Sequence, residues 1–280
     1  MIGCSDMGTG CDTILAQMAA DGLGCDMDNI IVRGVDTDQS PYDSGSYASS
    51  TTYVTGGAVV KACESMRKRI CEEAAAIMGL KSGEVDFDGE TISENDNPEH
   101  SMTLSDLITS LEAGNGRIIE VTESHTSPVS PPPFMAGAAE IEVDLETGKI
   151  TPINYVAAVD CGTVINTNLA RIQTEGGIVQ GMGMTLYEDV QYTEAGKMKN
   201  RNFMSYKIPT RLDMGSISVE FESSYEQTGP YGAKSIGEIV INTPAPAIAD
   251  AVYNATGLRF RTLPITAEQV MMGLLEREEA

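Results

Sequence analysis

Apolar residues recur at helical spacing in two stretches of the first half of the chain. In the first stretch they occupy positions 14, 15, 18, 19 and 23, and Gly24 follows. In the second they continue from about residue 53 to 78, before Gly79. An amphipathic helix repeats its buried face every three to four residues and commonly ends at a glycine, so both stretches are predicted helices. Further helices are predicted at about 104–111, 169–186, 246–256 and 267–275.

Runs of β-forming residues predict strands between these helices. Residues 136–143 and 150–159 are two such runs, and the intervening Glu146-Thr147-Gly148-Lys149 is typical of a hairpin turn. Other strands are predicted at 29–33, around the Asp88-Gly89 turn, and at 117–121, 190–193 and 217–221.

A proline-rich stretch marks the predicted domain boundary. Residues 128–133 include three consecutive prolines, which are not tolerated inside a helix or a central strand. The sequence therefore predicts a first subdomain at 1–127, a connection at 128–133 and a second subdomain at 134–280.

The charge balance excludes two classes of partner. The chain has 280 residues, of which 18 are basic and 41 acidic, for a net charge of −23. Nucleic acid and anionic membranes attract clustered Lys and Arg, so neither is expected as a partner. No apolar run approaches the roughly 20 residues of a membrane span, and the first ten residues lack the features of a signal peptide. We therefore expect a cytoplasmic protein.

Protein ligands for a metal ion are scarce in the sequence. The six cysteines include no CxxC pair, and there are only two histidines, His100 and His125. This composition does not predict a zinc ribbon, an iron–sulfur loop or a histidine-based triad. Metal chemistry here would need a cofactor that brings its own ligands.

Two loops that precede helices are candidates for anion binding. The first contains Gly8, Thr9 and Gly10, and the second, residues 43–52, reads DSGSYASSTT. Helix amino termini offer free backbone N–H groups to an anion, and hydroxyl side chains add donors. Ordinary strand-to-helix turns and helix caps explain each loop about as well.

Glycines and one carboxylate are the remaining unusual features. The helix predicted at 169–186 contains Gly176, Gly177, Gly181 and Gly183, which indicates that another group approaches its backbone closely. Glu238 lies between Gly237 and an apolar run, where a carboxylate can act as a general base. A carboxylate that simply caps a helix end is an equally good interpretation.

Five ordered segments resemble one enzyme family. They are GCSDMGTGCDTILAQMAADGLG, SGSYASSTTYVTGGAV, RIQTEGGIVQGMGMTLYED, the predicted strand SYKIPT (205–210) and GPYGAKSIGEIVINTPAPAIADAVYNATG. In this order they are similar to the carboxy-terminal molybdopterin-binding domain of the xanthine dehydrogenase and aldehyde oxidase family, and the resemblance covers essentially the whole chain. It implies an α+β fold of two intertwined subdomains, each with a mixed sheet and packed helices, which share the cofactor site.

The resemblance also assigns roles to single residues. Glu238 matches the family's catalytic glutamate, the base that takes a proton from the hydroxo group on molybdenum. Gln173 matches a glutamine that contacts the pterin. The cofactor-binding residues that the resemblance implies, besides Gln173, are Gly8, Thr9, Gly10, Tyr47, Ala48, Ser49, Ser50, Thr51, Lys234 and Gly237. No residue of the protein is expected to bind the metal directly.

The family's chemistry implies further components. The cofactor is molybdenum-molybdopterin, in the cytosine dinucleotide form for a bacterial enzyme, and iron–sulfur and FAD groups are expected on partner subunits. The substrate would be a purine or another N-heterocycle, because GAKSIGE is closer to the xanthine dehydrogenase branch.

Two departures from the family pattern affect these expectations. Thr9 occupies a position where many relatives have Gln, so one side-chain contact to the cofactor would be shorter or missing. The chain also starts within an expected strand, so a partner subunit is expected to carry the first molybdopterin domain. A non-catalytic remnant or assembly module of the same fold, and a phosphate-binding or nucleotide-binding enzyme without molybdenum, remain as alternatives.

Overall fold

The computed structural model describes residues 1–278, so Glu279 and Ala280, the end of the predicted second subdomain, lie outside the described residues. The chain forms two compact units. The first consists of Met1–Pro131 and Glu226–Ser235, and the second of Pro132–Tyr225 and the residues from Ile236 onward. The first unit thus includes a ten-residue segment that the linear division at 128–133 assigns to the second subdomain.

The first unit combines three helices with a small antiparallel sheet. Its elements are α1 (Cys11–Leu23), α2 (Gly56–Met78), β1 (Val85–Phe87), β2 (Thr91–Glu94), β3 (Asn97–Thr103) and α3 (Leu104–Asn115). The strand order is β1-β2-β3. Apolar side chains of α2, α3 and the sheet form one core, which includes Ile70, Ala74, Phe87, Ile92 and Leu107.

Glycines with left-handed backbone conformations lie at the ends of the helices in this unit. Gly10 and Gly24 flank α1 with φ of 77° and 75°, and Gly79 ends α2 with φ of 73°. This region of φ is costly for residues with a Cβ, so glycine stops the helix at little cost. Thr103 begins α3 by accepting a hydrogen bond from the Asp106 N–H, the arrangement of a capping box.

The second unit packs helices on a mixed sheet. Its elements are β4 (Phe134–Val143), β5 (Ile150–Asp160), α4 (Thr167–Leu186), β6 (Ser216–Phe221), α5 (Pro244–Thr256) and α6 (Ala267–Glu278). β4 and β5 form an antiparallel hairpin, and β6 pairs with β5 in parallel. The core includes Tyr155, Val159, Ile178, Ile248 and Val252.

Glycines of α4 allow close packing within the second unit. A Cβ at Gly177 would overlap the Val240 side chain, and one at Gly181 would lie 2.7 Å from Pro244 Cγ. The group that approaches α4 at Gly177 and Gly181 is therefore the chain's own segment 240–244. Gly176, on another side of the helix, has open space around the Cβ position.

The predicted helices agree with the structure. All six predicted helices are present, although α2 begins at Gly56 because Thr51–Thr55 forms a π-helical turn. The α+β class is confirmed, and so is the hairpin. Within residues 1–278, no helix is both long enough and apolar enough to cross a bilayer.

Four of the predicted strands are wrong. Residues 29–33, 117–121, 190–193 and 205–210, which are all described, form no strands. The Ile2 N–H donates to the Arg33 carbonyl at 2.9 Å, and Tyr192 forms an isolated bridge with Met198. An extended segment becomes a strand only where a neighbouring backbone pairs with it along its length, and propensity does not reveal that neighbour.

Substitution of adjacent glycines in α4 tests the close packing. Gly177→Ala is expected to destabilise the protein by about 1–3 kcal/mol, because the added methyl overlaps Val240. Gly176→Ala is the control, since it places the methyl in open space and raises helix propensity, which stabilises by about 0.5–1 kcal/mol. Chemical denaturation of both variants checks this, and equal stability of the two would contradict it.

Candidate functional site

The loop before α1 is organised by Asp6. Its carboxylate accepts hydrogen bonds from the backbone N–H groups of Gly8 at 2.8 Å, Gly10 at 3.2 Å and Asp12 at 3.3 Å. These bonds, first that from Gly8, lower the pKa of Asp6 below its ordinary value. The Asp6 carboxylate therefore accepts hydrogen bonds from backbone N–H groups that were expected to bind an anion.

The predicted residues of this loop remain accessible around Asp6. Gly8 has φ of 103° and open space at its Cβ position. Thr9 is exposed, and Gly10 lies directly before α1. The loop thus exposes bare backbone at Gly8 and one hydroxyl at Thr9. The sequence analysis missed Asp6, although an aspartate two residues before a glycine is a signature of an Asx turn.

Asp6, Cys11 and Asp12 form the one group of three potential metal ligands in residues 1–278. Their ligand atoms lie within 4.8 Å of one another. Burial raises the pKa of the Cys11 thiol, however, and a protonated thiol is a poor ligand. Since the Asp6 carboxylate is bound to the backbone, this group is a structural part of the loop.

The second loop has a strained backbone at predicted site residues. Ala48 and Ser49 adopt left-handed conformations with φ of 51° and 57°. Each such residue costs on the order of 1 kcal/mol, and such strain concentrates at functional sites. Ser50 then returns to the right-handed region. A change of hand between successive residues can turn backbone N–H groups toward one side, where they bind an anion. The Ser50 N–H itself donates to the Tyr47 carbonyl at 3.2 Å.

Hydrogen bonds of hydroxyl groups and of one carboxylate hold the second loop in its conformation. Thr51 Oγ1 donates to Ser46 Oγ at 2.7 Å, and Ser50 Oγ donates to the Gly45 carbonyl at 3.3 Å. Asp43 accepts from the Gly45 N–H at 2.8 Å and from Thr55 Oγ1 at 3.2 Å. Residues 44–52 contain no charged side chain, and Tyr47 is 67% exposed.

The second unit brings together three predicted site residues. Gln173, on α4, donates from Nε2 to the Gly237 carbonyl at 3.4 Å. Glu238 follows Gly237 and directly precedes the 3-10 turn Ile239–Ile241. Because the 240–244 segment packs on the α4 glycines, the same packing holds Gly237 beside Gln173.

The surroundings of Glu238 differ from the sequence expectation. The side chain is exposed in the chain by itself, and it is not enclosed by the apolar run that follows it. Its position at the start of a helical turn also fits the alternative interpretation, in which the carboxylate only caps a helix end. Its role as a base stays a prediction.

Lys234 is a buried cation in the first unit. Its relative exposure is 9%, in a chain of strong negative charge. It lies near Glu226, whose pKa is lowered mainly by the Thr228 hydroxyl and, to a lesser extent, by Lys234. The first unit therefore carries the two loops and Lys234, and the second carries Gln173, Gly237 and Glu238.

The two histidines take structural positions. His100 Nδ1 lies 2.8 Å from Glu94 Oε2. His125 packs over Gly57, where a Cβ would lie 2.7 Å from His125 Cδ2, and burial lowers the pKa of this imidazole. Neither histidine belongs to the predicted site.

Comparison with known proteins identifies a family and its relatives. The family described as "Molybdopterin cofactor-binding domain" matches residues 1–215. The chain is 33% identical, over 97% of its length and 28% of the relative's, to "Probable hypoxanthine oxidase XdhD" of Escherichia coli K12. It is 30% identical, over 96% of its length and 36% of the relative's, to "Xanthine dehydrogenase molybdenum-binding subunit" of Escherichia coli O157:H7.

Solved structures share the fold. Quinoline 2-oxidoreductase from Pseudomonas putida 86 superposes with a TM-score of 0.82 at 26% identity, over 98% of this chain and 36% of that chain. CO dehydrogenase from Oligotropha carboxidovorans has a TM-score of 0.83 at 24% identity, over 98% of this chain and 35% of that one. The chain thus spans about a third of the length of its relatives.

Replacement of Asp6 tests the organisation of the first loop. A depressed folded pKa stabilises the protein above the unfolded pKa, near 3.8, and this stabilisation is lost as pH falls through the folded pKa. Asp6→Asn is expected to lower the melting temperature by about 2–4 °C at pH 7 and by much less at pH 3. Thermal melts across pH measure this. Asp38→Asn, an exposed aspartate of the same unit, is the charge-matched control. A pH-independent loss in Asp6→Asn would contradict the account.

Proposed function

The chain belongs to the family of molybdopterin cofactor-binding domains, and from this we propose that it is the molybdenum-cofactor-binding part of a xanthine dehydrogenase-like hydroxylase. The observation that supports the proposal most is the hydrogen bond from Gln173 to the carbonyl of Gly237, the residue before Glu238. The oxidised substrate is a purine or another N-heterocycle. The names of two relatives, a hypoxanthine oxidase and a xanthine dehydrogenase subunit, support this class of substrate.

The residues present fit a pterin cofactor that carries phosphates. The second loop combines hydroxyl donors, a left-handed to right-handed backbone alternation and an uncharged stretch. Gly8 presents backbone with no side chain in the way. These donors suit phosphate and pterin oxygens, whereas residues 1–278 offer no cluster of thiolates or imidazoles to a metal. In our proposal Tyr47, Ala48, Ser49, Ser50 and Thr51 hold the phosphates, and Gly8, Thr9, Gly10 and Gln173 hold the pterin.

The proposed reaction inserts an oxygen atom from water into a C–H bond. The substrate RH and water give ROH, two protons and two electrons. When bound, the cofactor supplies the two-electron acceptor and the site of oxygen transfer. The Glu238 carboxylate accepts one proton at an Oε atom as the oxygen nucleophile forms, and it returns that proton to solvent through its exposed face. Gln173 holds the Gly237 carbonyl and so orients the peptide that precedes Glu238.

The proposal extends to components outside this chain. The cofactor is the cytosine dinucleotide form. A subunit with the first molybdopterin domain supplies the rest of the pocket, and iron–sulfur and FAD subunits take the electrons. The threefold greater length of the relatives supports the need for further domains. A cytoplasmic location, predicted from the sequence, completes the proposal.

Glu238→Gln tests the proposal while it preserves the size and shape of the side chain. An amide cannot accept the proton, so turnover per molybdenum should fall by about 100- to 10,000-fold. The complex purified from the native host is assayed with xanthine and hypoxanthine and an artificial electron-accepting dye, and molybdenum is measured by elemental analysis. Molybdenum content should equal that of the wild type.

Glu220→Gln is the matched control for this experiment. Glu220 is an exposed carboxylate on β6 of the same unit, so its amide should leave turnover unchanged. Wild-type turnover in Glu238→Gln would refute the assignment of the base. A wild-type complex that contains neither molybdenum nor pterin would favour the non-catalytic remnant, in which Glu238 only caps a helical turn.

A further inference from the structure

The segment 237–244 carries the predicted base, and all of it lies within the second unit. At its first residue, Gln173 Nε2 donates to the Gly237 carbonyl at 3.4 Å. In its middle, the side chain of Val240 is fully buried and packs where Gly177 has no side chain. Both of these contacts come from α4. The last part of the segment, where it enters α5, is held in addition by a different element of the same unit.

A tyrosine of the sheet holds this far end of the segment. Tyr155 lies on β5, and its hydroxyl donates to Thr243 Oγ1 at 2.8 Å. Thr243 directly precedes α5, and its carbonyl accepts from the Ala247 N–H at 3.2 Å. Tyr155 is fully buried, and a buried hydrogen bond is costly to break because the groups left behind lack water as a partner. Burial raises the pKa of Tyr155, so its hydroxyl stays a donor at neutral pH.

The neighbouring strand leaves room for this pair of hydroxyls. On β4, a Cβ at Gly137 would overlap Tyr155 Oη and would lie 2.8 Å from Thr243 Oγ1. Any side chain at position 137 would therefore displace one of the two hydroxyls. A glycine inside a strand weakens the strand, and the close approach of another group is a recognised reason for its presence. The lack of a side chain at Gly137 thus matches the hydrogen bond between Tyr155 and Thr243.

We propose that Tyr155 is a positioning residue for Glu238, and this inference rests on the proposed function. Gln173 holds the peptide that precedes Glu238, and Tyr155 holds Thr243, five residues after Glu238. The base therefore lies in a short stretch of backbone that is fixed at one end by a side chain of α4 and at the other by a side chain of the sheet. Tyr155 acts on the reaction only through this backbone. Proton transfer is sensitive to the placement of the accepting atom, so a loosened Thr243 slows turnover.

Hydrogen exchange of the intact complex tests the anchor without reference to catalysis. Tyr155→Phe keeps the ring and removes only the hydroxyl, and Thr243→Val removes the acceptor while it keeps the shape of the side chain. In both variants, amides of residues 239–247 are expected to exchange about fivefold faster, as for the loss of one neutral hydrogen bond. Tyr253→Phe is the control, because it removes a tyrosine hydroxyl from α5 while the ring stays stacked with Arg259 at 4.0 Å. Unchanged exchange in both variants, or an equal rise across the whole second unit, would overturn the inference.

A double-mutant cycle separates positioning of the base from a general structural role. With xanthine or hypoxanthine as the probe, Tyr155→Phe should lower kcat per molybdenum about five- to tenfold and leave KM unchanged. Because Tyr155 acts only through the Glu238 carboxylate, Tyr155→Phe should cause no further loss in the Glu238→Gln background. A structural role would lower kcat by the same factor in both backgrounds. That result, or a wild-type kcat in Tyr155→Phe alone, would overturn the inference.

The same cycle distinguishes failure of the inference from failure of the proposed function. Wild-type turnover in Glu238→Gln would refute the base, and with it the positioning role, whatever the effect of Tyr155→Phe. A large loss in Glu238→Gln together with a wild-type kcat in Tyr155→Phe would leave the proposed function intact and overturn only the role of Tyr155.

Discussion

The close approach of segment 240–244 to α4 is the contact on which the candidate site in the second unit depends. Two glycines, one helical turn apart, remove the side chains that would keep the segment away. Val240 and Pro244 fill the space instead, and Val240 is fully buried. The start of α5 and the 3-10 turn that follows Glu238 are thereby fixed against α4. Gln173 lies one turn before Gly177 on the same helix, which is why it contacts Gly237.

In the first unit, the carboxylates of Asp6 and Asp43 organise the two loops through hydrogen bonds. Asp6 gathers backbone N–H groups of the first loop, and Asp43 ties the second loop to Thr55 at the start of α2. Each carboxylate thus accepts backbone N–H groups of its own loop, and the rest of each loop exposes hydroxyls or bare backbone. The strain at Ala48 and Ser49 is maintained by the same network of hydroxyl bonds.

The sequence predicted the helices well because their signals are local. Glycines in the left-handed region end α1 and α2, and the spacing of apolar residues marks the buried faces. Isolated strands were less predictable, because residues 29–33 and 117–121 have β propensity, but no backbone within residues 1–278 pairs with them along their length. The glycines of α4 correctly indicated a close approach, yet their spacing could not reveal that the approaching group is the chain itself.

The candidate site was predicted in part. The resemblance of five ordered segments to one family predicted Gln173 and Glu238 as site residues. In the structure Gln173 contacts Gly237, the residue before Glu238. Long-range contacts within the first unit were not predictable either, because Tyr231 reaches Met18 across 213 positions of sequence. Asp6 was missed because its role is a set of backbone contacts rather than a recognisable catalytic pattern.

The most direct test of cofactor binding is the molybdenum and pterin content of the complex that contains this chain, purified from its own host. We expect about one molybdenum and one pterin dinucleotide per chain, together with a protein that carries the first molybdopterin domain. A stable, folded preparation that contains neither molybdenum nor pterin, with its partners retained, would show that the chain does not bind this cofactor.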